Sequence, residues 1–291
     1  MNRTFRVGAN LAVGLMLATA MPACSKEKAE SVALVNRGVR ALDREDTETA
    51  ASYFKRALRV SPENADAHYH LGLVETHFHH NGEQGLAHFL EAESLVPNDR
   101  DVLFEIGRYK IETGSLNDGT SYINRVIDLD PNNAPAWYWK GVALESEGEV
   151  SKANLAYREA VTIDPEFSPA FVALGSLYEK HEAIDEARAV YAEGIRHNPD
   201  SPNLLNNMGI LHLKAGSHDA ALEHFQRAIA RDSSRSDALF NLAFAYAQSG
   251  RHRLAVRNLD AFIRRIDPEE KQTIEVARAL REALYMELMA E

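Results

Sequence analysis

Cysteine occurs once in the 291 residues, at Cys24, so neither an intramolecular disulfide nor a paired-cysteine metal or redox site can form. Glycine (16) and proline (10) are sparse, too few for the many turns of an all-β chain. Basic residues are outnumbered, 32 against 43 acidic, and the resulting net charge of -11 repels phosphate backbones, which excludes nucleic acid as the expected partner. The 45% hydrophobic and 26% charged residues exclude a disordered or collagen-like chain. Enzyme motifs are missing as well. Gly114 to Gly119 has the glycine spacing of a phosphate loop but no lysine and no preceding strand. His181-Glu182 opens like a zincin helix, yet Asp185 stands where the second histidine is needed, and no G-x-S-x-G sequence occurs. The expectation is a non-enzymatic chain with no cofactor, no metal and no small-molecule substrate.

Only one apolar stretch is present at the N-terminus. Arg3 and Arg6 form a positive leader and Val7 to Ala20 a mostly apolar core, which at roughly 14 residues is shorter than the ~20 a spanning helix requires. Residues 1–23 therefore read as a signal peptide. Ala18-Thr19-Ala20 fits a cleavage site for a secreted product, while Met21-Pro22-Ala23-Cys24 resembles the lipobox of bacterial lipoproteins. That resemblance implies cleavage before Cys24, lipidation of Cys24, and, with Ser25 rather than aspartate following, delivery to the outer membrane facing the periplasm. Several acyl chains would give lasting attachment where a single one would not. Loss of residues 1–23 removes two arginines and no acid, deepening the net charge to -13. Residues 24–30 are expected to form a short tether.

The remainder repeats. Small residues recur at Gly38, Gly72, Gly107, Gly141, Gly175, Gly209 and Ala243, in steps of 34, 35, 34, 34, 34 and 34. Twelve or thirteen residues after each stands another small residue, such as Ala50, Gly85 or Ala187, and four further on a large apolar one: Phe54, Phe89, Ile123, Tyr157, Tyr191, Phe225, Leu259. Pro62, Pro97, Pro131, Pro165 and Pro199 close successive units. The extra residue of the second unit is expected within His79 to Gln84. Each unit reads as two helices, because apolar residues keep helical spacing on both sides of a break, as in Ala134–Glu147 and Ser151–Ile163 around Gly148. A helical glycine costs about 1 kcal/mol relative to alanine, so its recurrence implies a gain, namely room for the paired helix to approach. One hairpin cannot bury its apolar faces alone, and stability must come from stacking.

With Trp137, Gly141, Ala153, Tyr157, Ala160 and Pro165 in place in the fourth unit, this pattern resembles the tetratricopeptide repeat family. The resemblance implies an all-α, right-handed superhelical solenoid of seven helix hairpins at 31–64, 65–99, 100–133, 134–167, 168–201, 202–235 and 236–269. Ile274, Ala277, Leu280, Leu284 and Leu288 then make one apolar stripe, the mark of a capping helix at 270–291, with Tyr285, Met286 and Met289 off it.

The resemblance further implies a concave groove lined by the first helices, with the residue three before each marker facing it: Val35, Tyr69, Phe104, Tyr138, Val172, Asn206 and Phe240. Phe244 follows Phe240 by one turn. Four aromatics in seven positions suit an extended or helical apolar segment of a protein partner, while packing between repeats would also account for them. Asn207 and Asn241, like Asn36, stand at the position from which some members bind a peptide backbone, but His70, Glu105, Trp139 and Ala173 interrupt that series. Six of the twelve histidines (His68, His70, His77, His79, His80, His88) crowd the second unit. His77 and His80 would share a helix face with His88 approaching, but a structural zinc site normally needs four ligands, and solvated or polar-packed histidines are the expectation. Between Arg227 and Arg265 eight arginines face three aspartates, a basic end that could meet an acidic protein, phospholipid headgroups or an anionic polymer, or be a solvated outer face. The functional expectation is a membrane-anchored scaffold for protein-protein interaction in envelope assembly. Lipoproteins that resemble this one in architecture include pilotins for the secretin of type IV pili; the alternatives are a soluble secreted binding protein or a metal-binding protein built on the second-unit histidines.

Overall fold

The computed structural model describes residues 22–290, with side-chain surroundings from Lys26 onward; residues 1–21 of the expected signal peptide and the side chain of Cys24 lie outside the described residues. Among those residues there are fifteen α-helices and no strand: α1 (Pro22–Leu42), α2 (Thr47–Val60), α3 (Ala65–His77), α4 (Gly82–Leu95), α5 (Arg100–Glu112), α6 (Leu116–Leu129), α7 (Ala134–Ser146), α8 (Val150–Ile163), α9 (Ser168–Lys180), α10 (Ile184–His197), α11 (Pro202–Lys214), α12 (His218–Arg231), α13 (Ser236–Gln248), α14 (His252–Arg265) and α15 (Lys271–Ala290). None of them is long and apolar enough to cross a membrane. The chain divides after Gly148 into two compact units, α1–α7 and α8–α15.

In the first unit each helix packs on the next, and the odd-numbered helices also touch, α1 with α3 and α5 with α7. Short turns between helices of this length make hairpins. Phe54, Phe89 and Ile123 are fully buried at the hairpin centres. Asparagine and aspartate set the helix starts: Asp46 accepts from the Thr49 N–H, Asn64 from Ala67, and Asp99 from Val102, each satisfying an amide that the first turn leaves open. Ser31 is buried on α1, where its hydroxyl donates to Ala57 O at 2.9 Å and accepts from Asn64 Nδ2 at 2.8 Å, pinning α1 to α2 and to the start of α3. Residues 24–30, expected as a tether, continue this helix, and Lys26 to Glu30 are exposed on it.

In the second unit α9, α11 and α13 touch in succession while each helix packs on its sequence neighbour. Tyr191, Phe225, Leu259 and Phe262 fill its hairpins. A Cβ on Gly175 would lie 2.2 Å from Tyr191 Cε1, which is the close approach that the recurrent glycine provides. α15 lays Ala277 and Leu284, with Ile274, Leu280 and Leu288, on the cluster around Leu242, Leu259 and Phe262, and Arg281 Nη1 meets Asp260 at 2.9 Å. Tyr285, Met286 and Met289 are exposed.

The turn inside every hairpin contains one left-handed residue: Glu45, His80, Gly114, Gly148, Glu182, Gly216 and Gly250, with φ between 54° and 87°. In the second repeat Phe78 and His79 precede the left-handed residue, where Thr113 alone does so in the third. The extra residue therefore sits at Phe78-His79, at the leading edge of the expected window, because Asn81 must remain four residues before Gly85 to cap α4.

Candidate partner-binding face

In the first unit Tyr69 on α3, Phe104 on α5 and Tyr138 on α7 are each partly buried. The Tyr69 ring lies 6.1 Å from that of Phe89 and 5.2 Å from His70. Burial, then the negative charges of Glu105, Asp101 and Asp99, push its hydroxyl far above the usual tyrosine value. Phe104 packs on the cluster of Leu103, Ile123 and Val126, and Tyr138 meets Trp139 edge-on at 5.5 Å. Val35, expected in the same row, is only 6% exposed and belongs to the core.

A charged cluster beside Tyr69 was not legible as a site. Glu105, 7% exposed, accepts from Arg108 Nη2 at 2.7 Å and Nε at 3.0 Å, and His77 Nε2 reaches it at 3.4 Å. Arg108 Nη1 also pairs with Glu112 at 2.7 Å. Burial pushes the Glu105 carboxyl upward, but the His77 hydrogen bond and the Arg108 charge outweigh it, and the group stays below its ordinary value. The cluster joins α3 to α5, and its only sequence trace is Glu105 interrupting the asparagine series.

In the second unit Val172 is half-buried and Phe240 lies 5.3 Å from Phe262, while Phe244, one turn on, is 37% exposed. The asparagine side chains are engaged within the fold. Asn241 Nδ2 donates to Asn206 Oδ1 at 3.0 Å and Asn207 Nδ2 to Tyr191 Oη at 3.4 Å. Tyr191 Oη in turn donates to Glu179 at 2.9 Å, where Lys214 pairs with the other carboxylate oxygen. Burial, followed by Glu179, pushes the Tyr191 hydroxyl up.

The histidines of the second repeat do not converge. His80 has left α3 at its left-handed turn, so it shares no helix face with His77. His68 Nε2 lies 3.0 Å from Pro62 O and must donate there, which leaves its Nδ1 to accept from His88 Nδ1 at 3.1 Å. His79 pairs with Glu75 at 3.2 Å, and His70 stacks on Phe54. Among the described residues no group of three or more metal-ligating side chains is placed to hold an ion.

Stacked helix hairpins of this kind define a helical repeat protein, a class that serves protein-protein interaction. The tetratricopeptide repeat profile matches residues 35–100, 104–166, 172–236 and 206–270, and the chain belongs to that family. No curated protein matches it in sequence. Among solved structures it is similar to a tetratricopeptide repeat protein from Parabacteroides merdae at 14% identity, TM-score 0.65, over 88% of this chain and 99% of that one. It is also similar to PilF of Pseudomonas aeruginosa, at 16% identity and TM-score 0.60, covering 73% of this chain and 96% of that. PilW, described as a widely conserved type IV pilus biogenesis factor, matches at 16% identity and TM-score 0.62 over 72% and 96%. At these identities the likeness is one of fold.

Proposed function

We propose that this chain is a non-catalytic, lipid-anchored scaffold of the bacterial envelope whose first unit holds an apolar segment of a partner protein on Tyr69, Phe104 and Tyr138. The observation that carries the reading is one incompletely buried aromatic on each of three successive first helices, since such side chains supply anchors wherever a partner completes their burial. Phe240 and Phe244 offer a smaller site of the same kind in the second unit. Lipidation of Cys24 and an outer-membrane, periplasm-facing position rest on the Met21 to Cys24 sequence. A narrower role, assembling the secretin of type IV pili as a pilotin, is supported by the lipobox-like Met21 to Cys24 sequence and the fold likeness to PilF and PilW.

Crosslinking and pull-down from detergent-solubilised envelopes test the binding face, comparing wild type with Tyr69→Ala, Phe104→Ala, Tyr138→Ala combined and matched for folding by circular dichroism. Loss of one partner only in the variant is the expected result; a partner retained in both removes the aromatic row from the interface. Incorporation of labelled palmitate that disappears in Cys24→Ala is expected in parallel. Its absence from wild type replaces the anchored protein by one secreted after Ala20.

A further inference from the structure

The outer face of α14 carries Arg253, Arg257 and Arg264, all exposed, at spacings that place them within about 40° of arc and along about 16 Å of helix. Ala255, Val256, Leu259 and Phe262 bury the opposite side, so the arginines cannot turn inward. Among the described residues none of the three has an ion-pair partner, while Asp219 pairs with Arg251 at 2.7 Å, Asp260 with Arg281 at 2.9 Å and Glu287 with His252 at 3.4 Å. Leu254, beside Arg253, is 40% exposed.

Repeat register shows that the hairpin itself does not require this stripe. The position of Arg253 is Glu48, Glu83, Asp185 and Asp219 in four other second helices, and the position of Arg257 is Glu223 in the preceding repeat. Negative charge suits a helix's first turn, yet α14 has none there and starts on Arg251, His252 and Arg253. Arg251 and His252 are compensated within the fold by Asp219 and Glu287, but Arg253, Arg257 and Arg264 are not, and charges left without an internal partner point to an external counterpart, here an anion. From Arg227 to Arg265 every basic residue other than histidine is arginine, whose planar fork binds phosphate through two parallel hydrogen bonds. The face of a single helix is convex and cannot wrap a peptide, whereas a plane of phosphates meets all three guanidinium groups together.

We propose that α14 docks on the headgroups of an anionic phospholipid surface, with Leu254 at the edge of the contact. The acidic remainder of the chain is repelled by the same surface and confines the contact to this helix. The contact is independent of any acyl chain on Cys24. Its test is vesicle flotation of residues 24–291 carrying Cys24→Ser, a polypeptide that keeps every repeat. Vesicles are made of phosphatidylcholine alone or of phosphatidylcholine with phosphatidylglycerol. The expected result is flotation only with the anionic vesicles at about 0.1 M salt, suppressed at about 0.5 M. Arg253→Gln, Arg257→Gln, Arg264→Gln combined should lower partition roughly a hundredfold without changing the thermal melt. Failure to float with anionic vesicles, or equal flotation of the triple variant, overturns the proposal. Photocrosslinking from position 257 to an acidic protein, with vesicles ignored, replaces the lipid by a protein partner.

Discussion

Asn241 on α13 donates to Asn206 on α11 across 3.0 Å, joining two successive first helices and leaving Asn206 4% exposed. A side chain expected from its repeat position to face a partner is thus part of the scaffold. Asn241→Ala would strand the buried Asn206 oxygen, at a cost of about 1–3 kcal/mol. Denaturant titration should show a lowered midpoint with unchanged partner affinity. Replacing both asparagines by alanine should cost less than the sum of the single changes; strict additivity would show that the bond contributes nothing.

The pairing of small with large across each hairpin makes a second prediction. Gly175→Ala drives a methyl group to 2.2 Å from Tyr191, and overpacking of this kind costs about 1–3 kcal/mol. The seventh repeat shows the remedy, since Ala243 replaces the glycine where Leu259 replaces the aromatic, and both are fully buried. Adding Tyr191→Leu to Gly175→Ala should recover part of the loss in a thermal melt, and a double-mutant cycle measures the coupling.

Glu182 occupies its turn at φ 61°, a conformation that costs an L-residue about 1–2 kcal/mol. Glycine fills the same place in four other repeats. Glu182→Gly should stabilise the chain by about 0.5–1 kcal/mol after its larger unfolded-state entropy is subtracted. Gly216→Ala should shift the melt in the opposite direction, and a shift of the same sign in both would refute the argument from backbone strain.

Acidification should weaken the fold before carboxylates are reached. Burial is the main cause holding His70, His88 and His224 below the ordinary histidine value of 6.5, reinforced by His68 for His88 and by His212 for His224. The unfolded chain takes up protons near pH 6.5 that the folded chain resists, so this stability is present above that pH and declines as pH falls toward the folded values. Tm should drop between about pH 7.5 and about pH 5.5, with a shallower slope in His88→Gln. An unchanged slope would remove the His68–His88 pair as a contributor.

Seven repeats were legible because each demands its own local chemistry. Gly175 needs a small residue under Tyr191, Asn64 and Asp99 cap helices, and proline ends units; every one of these requirements acts within about 34 residues and leaves a periodic mark. The left-handed turn series was hidden, since Glu45, His80 and Glu182 stand where glycine marks the other turns. The histidines of the second repeat looked like one cluster by number. Helix geometry distributes them over separate neighbours, with His68 on His88, His77 on Glu105 and His79 on Glu75.

The sequence by itself determined the hairpin, its length, its caps and its small-to-large seam, because those depend on residues within one unit. Which side chains face a partner depends on what the next repeat brings over them. Val35 and Asn206 share a repeat position with Tyr69 and Phe104, yet only the latter pair keeps exposed surface. The same holds for charge: Glu105 is held by Arg108 of its own helix and His77 of the preceding repeat, whereas Arg253, Arg257 and Arg264 stay exposed because the opposite side of α14 is the one that the fold buries. Only the tertiary structure decides such pairings, since a Coulombic or packing partner is chosen by distance in space, and the sequence records distance along the chain.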